Sequence, residues 1–132
     1  MTDLESLQAW LAIEHEAVWV YGVIGGRRDD LSDEAKDAWN RHRDTRDRLE
    51  GWIRVLHGEP VGPQMGYALE PIDSNDTARV AAQSVEGKAV AATVTNLGNA
   101  HHRVEIVAAL RASARARAEW GAAPSAFPGL DA

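Results

Sequence analysis

Glu14, His42 and Glu86 are the residues of this chain whose types and positions could do chemistry. At about 100° per residue, Leu4, Leu7, Leu11, Val18 and Gly25 share one helical stripe, and Glu14 falls in its middle. His42 takes the same place among Ala35, Ala38, Thr45, Leu49, Ile53 and Leu56. Glu86 lies on the flank of a third stripe, formed by Ala78, Ala82, Val85, Ala89 and Thr93. An ionisable group at a core-facing position costs several kcal/mol unless it is paired or binds a metal. Glu14 and His42 stand equally far from a bend near Arg28, so antiparallel helices of equal rise bring them to one level. Two glutamates and a histidine converging inside a bundle amount to half of a carboxylate–histidine metal site, able to hold one iron, manganese or zinc ion. The same groups could instead satisfy one another by hydrogen bonds.

Four helical stretches must position them. The first is predicted from Thr2 to Ile24, stopping at Gly25-Gly26, where a left-handed cap is easy. The second opens at Asp30 or Ser32 and closes at His57-Gly58, with Pro60 just beyond. The third begins between Ser74 and Thr77 and ends at Leu97-Gly98; the fourth runs from Asn99 to Trp120-Gly121. Residues 122–132, with Pro124, Pro128 and Gly129, read as a C-terminal coil tail anchored by Phe127 and Leu130, after one domain spanning 1–121. Short loops make helices one and two antiparallel neighbours, and three and four likewise. The stretch from Gly58 to Asp73 holds Pro60, Pro63 and Pro71 and can run the length of a bundle in extended form. The fold class is therefore all-α, a four-helix bundle of two antiparallel hairpins with one long crossover between helices two and three.

That arrangement is ferritin-like, and the chain resembles the ferritin-like superfamily. In that pattern helix one supplies a Glu, helix two a Glu-x-x-His, helix three a Glu and helix four a Glu-x-x-His around a di-metal centre. Within it the chain is similar to an actinobacterial group of domains of unknown function. The segments AIEHEAVWVYG, HRDTRDRLEGWI, YALEPI and ARARAEW…AFPGL carry the likeness over nearly the whole length. The resemblance implies a metal-ligating role for Glu14, His42 and Glu86. Two positions depart from it. Helix two reads Trp39-x-x-His42, and the level of helix four facing Glu86 reads Ala108-x-x-Arg111, which supplies no ligand. Arg111 lies near its helix's apolar stripe, so its guanidinium is the expected substitute for the missing cation. The leading expectation is a non-catalytic bundle with a degenerate centre and no cofactor, acting through binding or assembly. The alternative is a single-metal protein with one Fe, Mn or Zn ion per chain and redox activity.

The remaining features are expectations about surfaces. Ile13, Ala17, Val20 and Ile24 form a second apolar face on helix one, expected to be a homodimer interface. Outside its stripe helix two offers the i,i+4 pairs Asp37–Arg41, Arg43–Asp47, Asp44–Arg48 and Arg46–Glu50, the mark of a solvated face. His101, His102 and Glu105 are expected at the surface, Glu16 pointing outward and His15 beside the helix-one stripe. Gly87 costs its helix about 1 kcal/mol and either leaves room near the Glu86 site or lets a neighbouring helix approach closely. With 14 Lys+Arg against 20 Asp+Glu, the net charge of −6 argues against a general nucleic-acid binder. The absence of cysteine excludes disulfides and thiolate chemistry. No apolar run approaches the roughly 20 residues that span a bilayer, and the start is acidic, so a cytoplasmic location is expected. Walker A, dinucleotide-binding and nucleophile-elbow motifs are missing.

Overall fold

The computed structural model describes residues 1–121. The expected tail, residues 122–132 with Phe127 and Leu130, lies outside the described residues. Four helices account for most of the described chain: α1 (Asp3–Arg27), α2 (Ser32–Val55), α3 (Asn75–Thr95) and α4 (Arg103–Glu119). Several of their ends have a local cause. Thr2 caps α1 by accepting from the Glu5 amide, and Ser74 with Thr77 forms a reciprocal capping box on α3. At the end of α2 the Gly58 and His57 amides donate to the Ile53 and Arg54 carbonyls, a Schellman closure. The left-handed residue of that closure is His57 (φ 63°), one position before the glycine. Gly58 sits in close quarters instead: a Cβ there would stand 2.6 Å from Leu4 Cδ1 and 3.0 Å from Ile53 Cγ2, so the Leu4 side chain would have to shift.

Two helix ends differ from expectation. Gly25-Gly26 does not stop α1, which continues to Arg27. The chain turns where Arg28 is held from outside, its side chain donating to Asn75 Oδ1 (3.0 Å) and the Asp73 carbonyl (3.3 Å). Asn99 caps a single 3-10 turn, Ala100–His102, by accepting from the His101 amide, and α4 begins only at Arg103. The second hairpin therefore bends around Ala100–His102 and not at Gly98. Further up, Gln83 donates to the Trp120 carbonyl, and Arg117 lies over Gly87 with Nε 3.3 Å from where a Cβ would be.

α1 packs against both α2 and α3, and α3 against α4. The crossover, residues 56–74, follows α1 from its start to its end. Gln8 binds the Glu59 carbonyl and the Val61 amide, His15 Nε2 donates to the Val61 carbonyl (2.8 Å), and Trp19 packs on Tyr67. Ile72 then enters the core. Packing against two helices, α2 and α3, explains why α1 is apolar on two sides. Ala17, Val20 and Ile24, expected at a dimer interface, are 0–2% exposed and belong to the chain's own core with Leu31, Ala35 and Ile72; Ile13 is half-buried. The core has two clusters. One joins Ala17, Tyr21, Ile24, Ala35, Ala82 and Val85, and the other joins Leu7, Trp10, Leu11, Leu49, Ile53 and Ile106. Glu14, His42 and Glu86 lie between them along α1, α2 and α3. No helix among the described residues is long and apolar enough to cross a membrane.

Candidate functional site

The three singled-out residues meet. Glu14, His42 and Glu86 are 2%, 1% and 0% exposed. His42 Nδ1 stands 2.6 Å from Glu14 Oε1, and Nε2 stands 2.9 Å from Glu86 Oε2. A carboxylate only accepts, so an imidazole held between two of them donates through both nitrogens and is an imidazolium. Burial alone would lower the His42 pKa, but the charges and hydrogen bonds of Glu14 and Glu86 outweigh it and raise it to about 9. For Glu86, burial pushes the pKa up, yet His42, Arg41 and Tyr21 together hold it below its ordinary value.

Other side chains complete the shell. Trp10 Nε1, one helical turn before Glu14, donates to Glu14 Oε2 (3.1 Å). The Tyr21 hydroxyl donates to Glu86 Oε2 (2.6 Å), and its ring stacks on His42 with centroids 5.6 Å apart. Burial and the Glu86 charge raise the tyrosine pKa well above its usual value, so the phenol keeps its proton. Arg41 Nη2 reaches the same oxygen (2.5 Å), while Nη1 donates to Ser113 Oγ of α4 (3.2 Å). Glu86 Oε2 thus accepts from three donors, and Glu86 Oε1 is buried with no hydrogen-bond partner.

The cation beside Glu86 is Arg41, not Arg111. Arg111 is exposed, because the later bend of the second hairpin brings other residues of α4 to the level of Glu86. Arg41 also leaves its expected surface partner Asp37. None of the four i,i+4 pairs expected along α2 forms: Arg46 pairs with Asp47 (2.9 Å), and Arg43 lies over the Trp39 ring at 4.2 Å. Glu16, expected in solvent, bonds Lys88 of α3 at 2.7 Å. His102 is half-buried and stacks face to face on Trp52 at 3.9 Å. Trp10, Tyr21 and Arg41 were not singled out from sequence, although Trp10 at i−4 and Tyr21 at i+7 share the face of Glu14.

Removing the Arg41 charge is expected to destabilise the fold by about 1–2 kcal/mol, because Glu86 stays buried while Arg41 is partly solvated. Urea midpoints of Arg41→Met and Arg111→Ala test this; Arg111→Ala should change stability by less than about 0.5 kcal/mol. Equal losses in the two variants would refute the assignment of the cation.

The donor set does not fit a metal. Both His42 nitrogens carry protons bonded to carboxylates, so the ring offers no lone pair, and Glu86 Oε2 already faces a guanidinium. Glu86 Oε1 alone is one donor, against the three or four that a bound transition metal takes from a protein. Among the described residues no group of three or more His, Asp or Glu is placed to hold an ion.

Fold and site define a four-helix protein with a self-neutralised Glu–His–Glu layer across its core. Residues 6–132 match the family described as a domain of unknown function, DUF4439, and the chain belongs to that family. It is also similar to the crystal structure of a conserved hypothetical protein, rv2844, from Mycobacterium tuberculosis. The two share 26% identity at a TM-score of 0.83, with 96% of each chain covered. No curated protein matches the chain.

Proposed function

We propose that this protein is a ferritin-like bundle whose carboxylate–histidine centre is degenerate. The protein's own cations fill that centre, and the chain acts non-catalytically through binding or assembly. One observation carries this reading: the His42 imidazolium is bonded through both nitrogens, with Arg41 beside Glu86 where a metal's charge would be needed. The hairpin–crossover–hairpin order supports the ferritin-like part, with α1, α2 and α3 each giving one residue of the centre. Two cations then balance two carboxylates without a metal.

The alternative, one Fe, Mn or Zn ion per chain, draws on the unpartnered Glu86 Oε1 and on the convergence of three metal-ligating residue types. It requires His42 to lose a proton held up to about pH 9. The test is metal content of protein purified without chelator, followed by anaerobic iron, manganese and zinc titrations read by thermal shift. The expected result is no stoichiometric metal and no shift. About one ion per chain, lost in Glu14→Ala and in His42→Ala, would establish the alternative.

A further inference from the structure

Away from the buried layer, α1, α2 and the crossover enclose a cleft of about 350 Å³, lined by His15, Trp19, Arg46, Glu50, Gln64 and Tyr67. Its walls are built. The Trp19 and Tyr67 rings stand 5.6 Å apart at 57° and present two aromatic surfaces. The Tyr67 hydroxyl accepts from the Gln64 amide (3.0 Å), which holds the crossover in place at that point.

The polar groups of the cleft are not equally spent. Arg46 bonds Asp47 through both Nε (3.0 Å) and Nη2 (2.9 Å), so its charge is already matched. Glu50, its expected i,i+4 partner, has no ion pair or hydrogen bond among the described residues. His15 is 6% exposed, and its Nε2 must carry the proton that it donates to the Val61 carbonyl. That bond leaves Nδ1 with no partner among the described residues. The cleft therefore combines an uncompensated carboxylate, an unpartnered ring nitrogen and two π-faces. All three favour a positive charge bearing N–H donors.

We infer that this cleft binds a small organic cation, an ammonium or amidinium group on an apolar body. Glu50 and His15 Nδ1 accept its N–H groups, and Trp19 and Tyr67 pack against its apolar body. The site owes nothing to the state of the Glu14–His42–Glu86 layer, so it stands or falls separately from the proposed function.

Benzamidinium is the probe, with benzoate and benzyl alcohol as the anionic and neutral controls. Titration of the ¹⁵N-labelled protein is read at the Trp19 indole resonance, assigned with Trp19→Phe. Saturable binding of benzamidinium alone is expected, weakened about tenfold by Glu50→Gln. Glu50 is half-buried, and an unchanged melting temperature confirms that Glu50→Gln is folded. Three results would overturn the inference: no saturation by about 10 mM, equal shifts from the neutral control, or undiminished affinity in the folded Glu50→Gln variant.

Discussion

His42→Ala is expected to lower the unfolding free energy by about 3–5 kcal/mol, the loss seen when one partner of a buried ion pair is removed. The reason lies in what is left behind. Glu14 keeps one bond from Trp10 and Glu86 keeps Tyr21 and Arg41, but their Coulombic and hydrogen-bonding partner is gone from a site 0–2% exposed. A protein of this size has about 5–15 kcal/mol of stability in total, so the variant sits near the limit of folding. The informative comparison is a triple replacement, Glu14→Leu with His42→Leu and Glu86→Leu. Substituting apolar groups for a whole buried ionic cluster is often neutral or stabilising. Urea unfolding should place the triple variant within about 1–2 kcal/mol of the parent, and well above His42→Ala. Equal stability of His42→Ala and the parent would mean that the layer is not ionised.

Alkaline pH should produce the second large effect. In the unfolded chain His42 titrates near 6.5, and in the folded protein it holds its proton to about 9. A group whose folded pKa is raised contributes its full stabilisation below the unfolded value and loses it as pH climbs through the folded one. The contribution is therefore complete below about pH 6.5 and gone above about pH 9, and it amounts to about 3 kcal/mol. Glu86 works in the opposite sense. Its folded pKa is lowered from 4.5, so its contribution is present above that value and disappears as pH falls through the lowered one. Stability should thus be greatest between about pH 4.5 and 6.5 as far as these two groups decide it. Tyr21 is pushed upward and stays protonated across this range. Urea midpoints at intervals from about pH 5 to pH 10 measure the alkaline limb, which the triple leucine variant should flatten. A parent protein equally stable at both ends would contradict the imidazolium assignment.

The centre was legible in the sequence because of where polar residues interrupt apolar stripes. Glu14 and His42 each sit in the middle of such a stripe, and equal rise from a common bend put them together. Glu86 could be placed only on a flank, since its Ala-rich helix has a weak stripe and the helix buries more than one side. Arg111 failed for a different reason. A bend at Gly98 would bring it level with Glu86, whereas Asn99 starts a 3-10 turn and postpones α4. A few residues of delay rotate and raise every side chain on that helix. Arg41 was hidden by local arithmetic, because Asp37 at i−4 offered it a surface partner of little worth. A buried carboxylate reached from the helix next door wins that competition. The dimer face failed because period alone shows that α1 is apolar on two sides, without showing that α3 of the same chain would cover the second of them.

The polar layer between the two apolar clusters has one more consequence, for the sliding of helices. α3 meets α1 largely through alanines, and such smooth surfaces pack almost as well when displaced by one turn, about 5.4 Å. Leucine-against-alanine contacts alone would leave several alignments close in energy. A shift of one turn between α1 and α2 would carry Glu14 away from His42 and into the surroundings of an apolar cluster, leaving both charges buried and unmatched. The penalty falls on the misaligned states and not on the native one. Glu14, His42 and Glu86 thus fix the register of three helices whose apolar surfaces specify it only weakly.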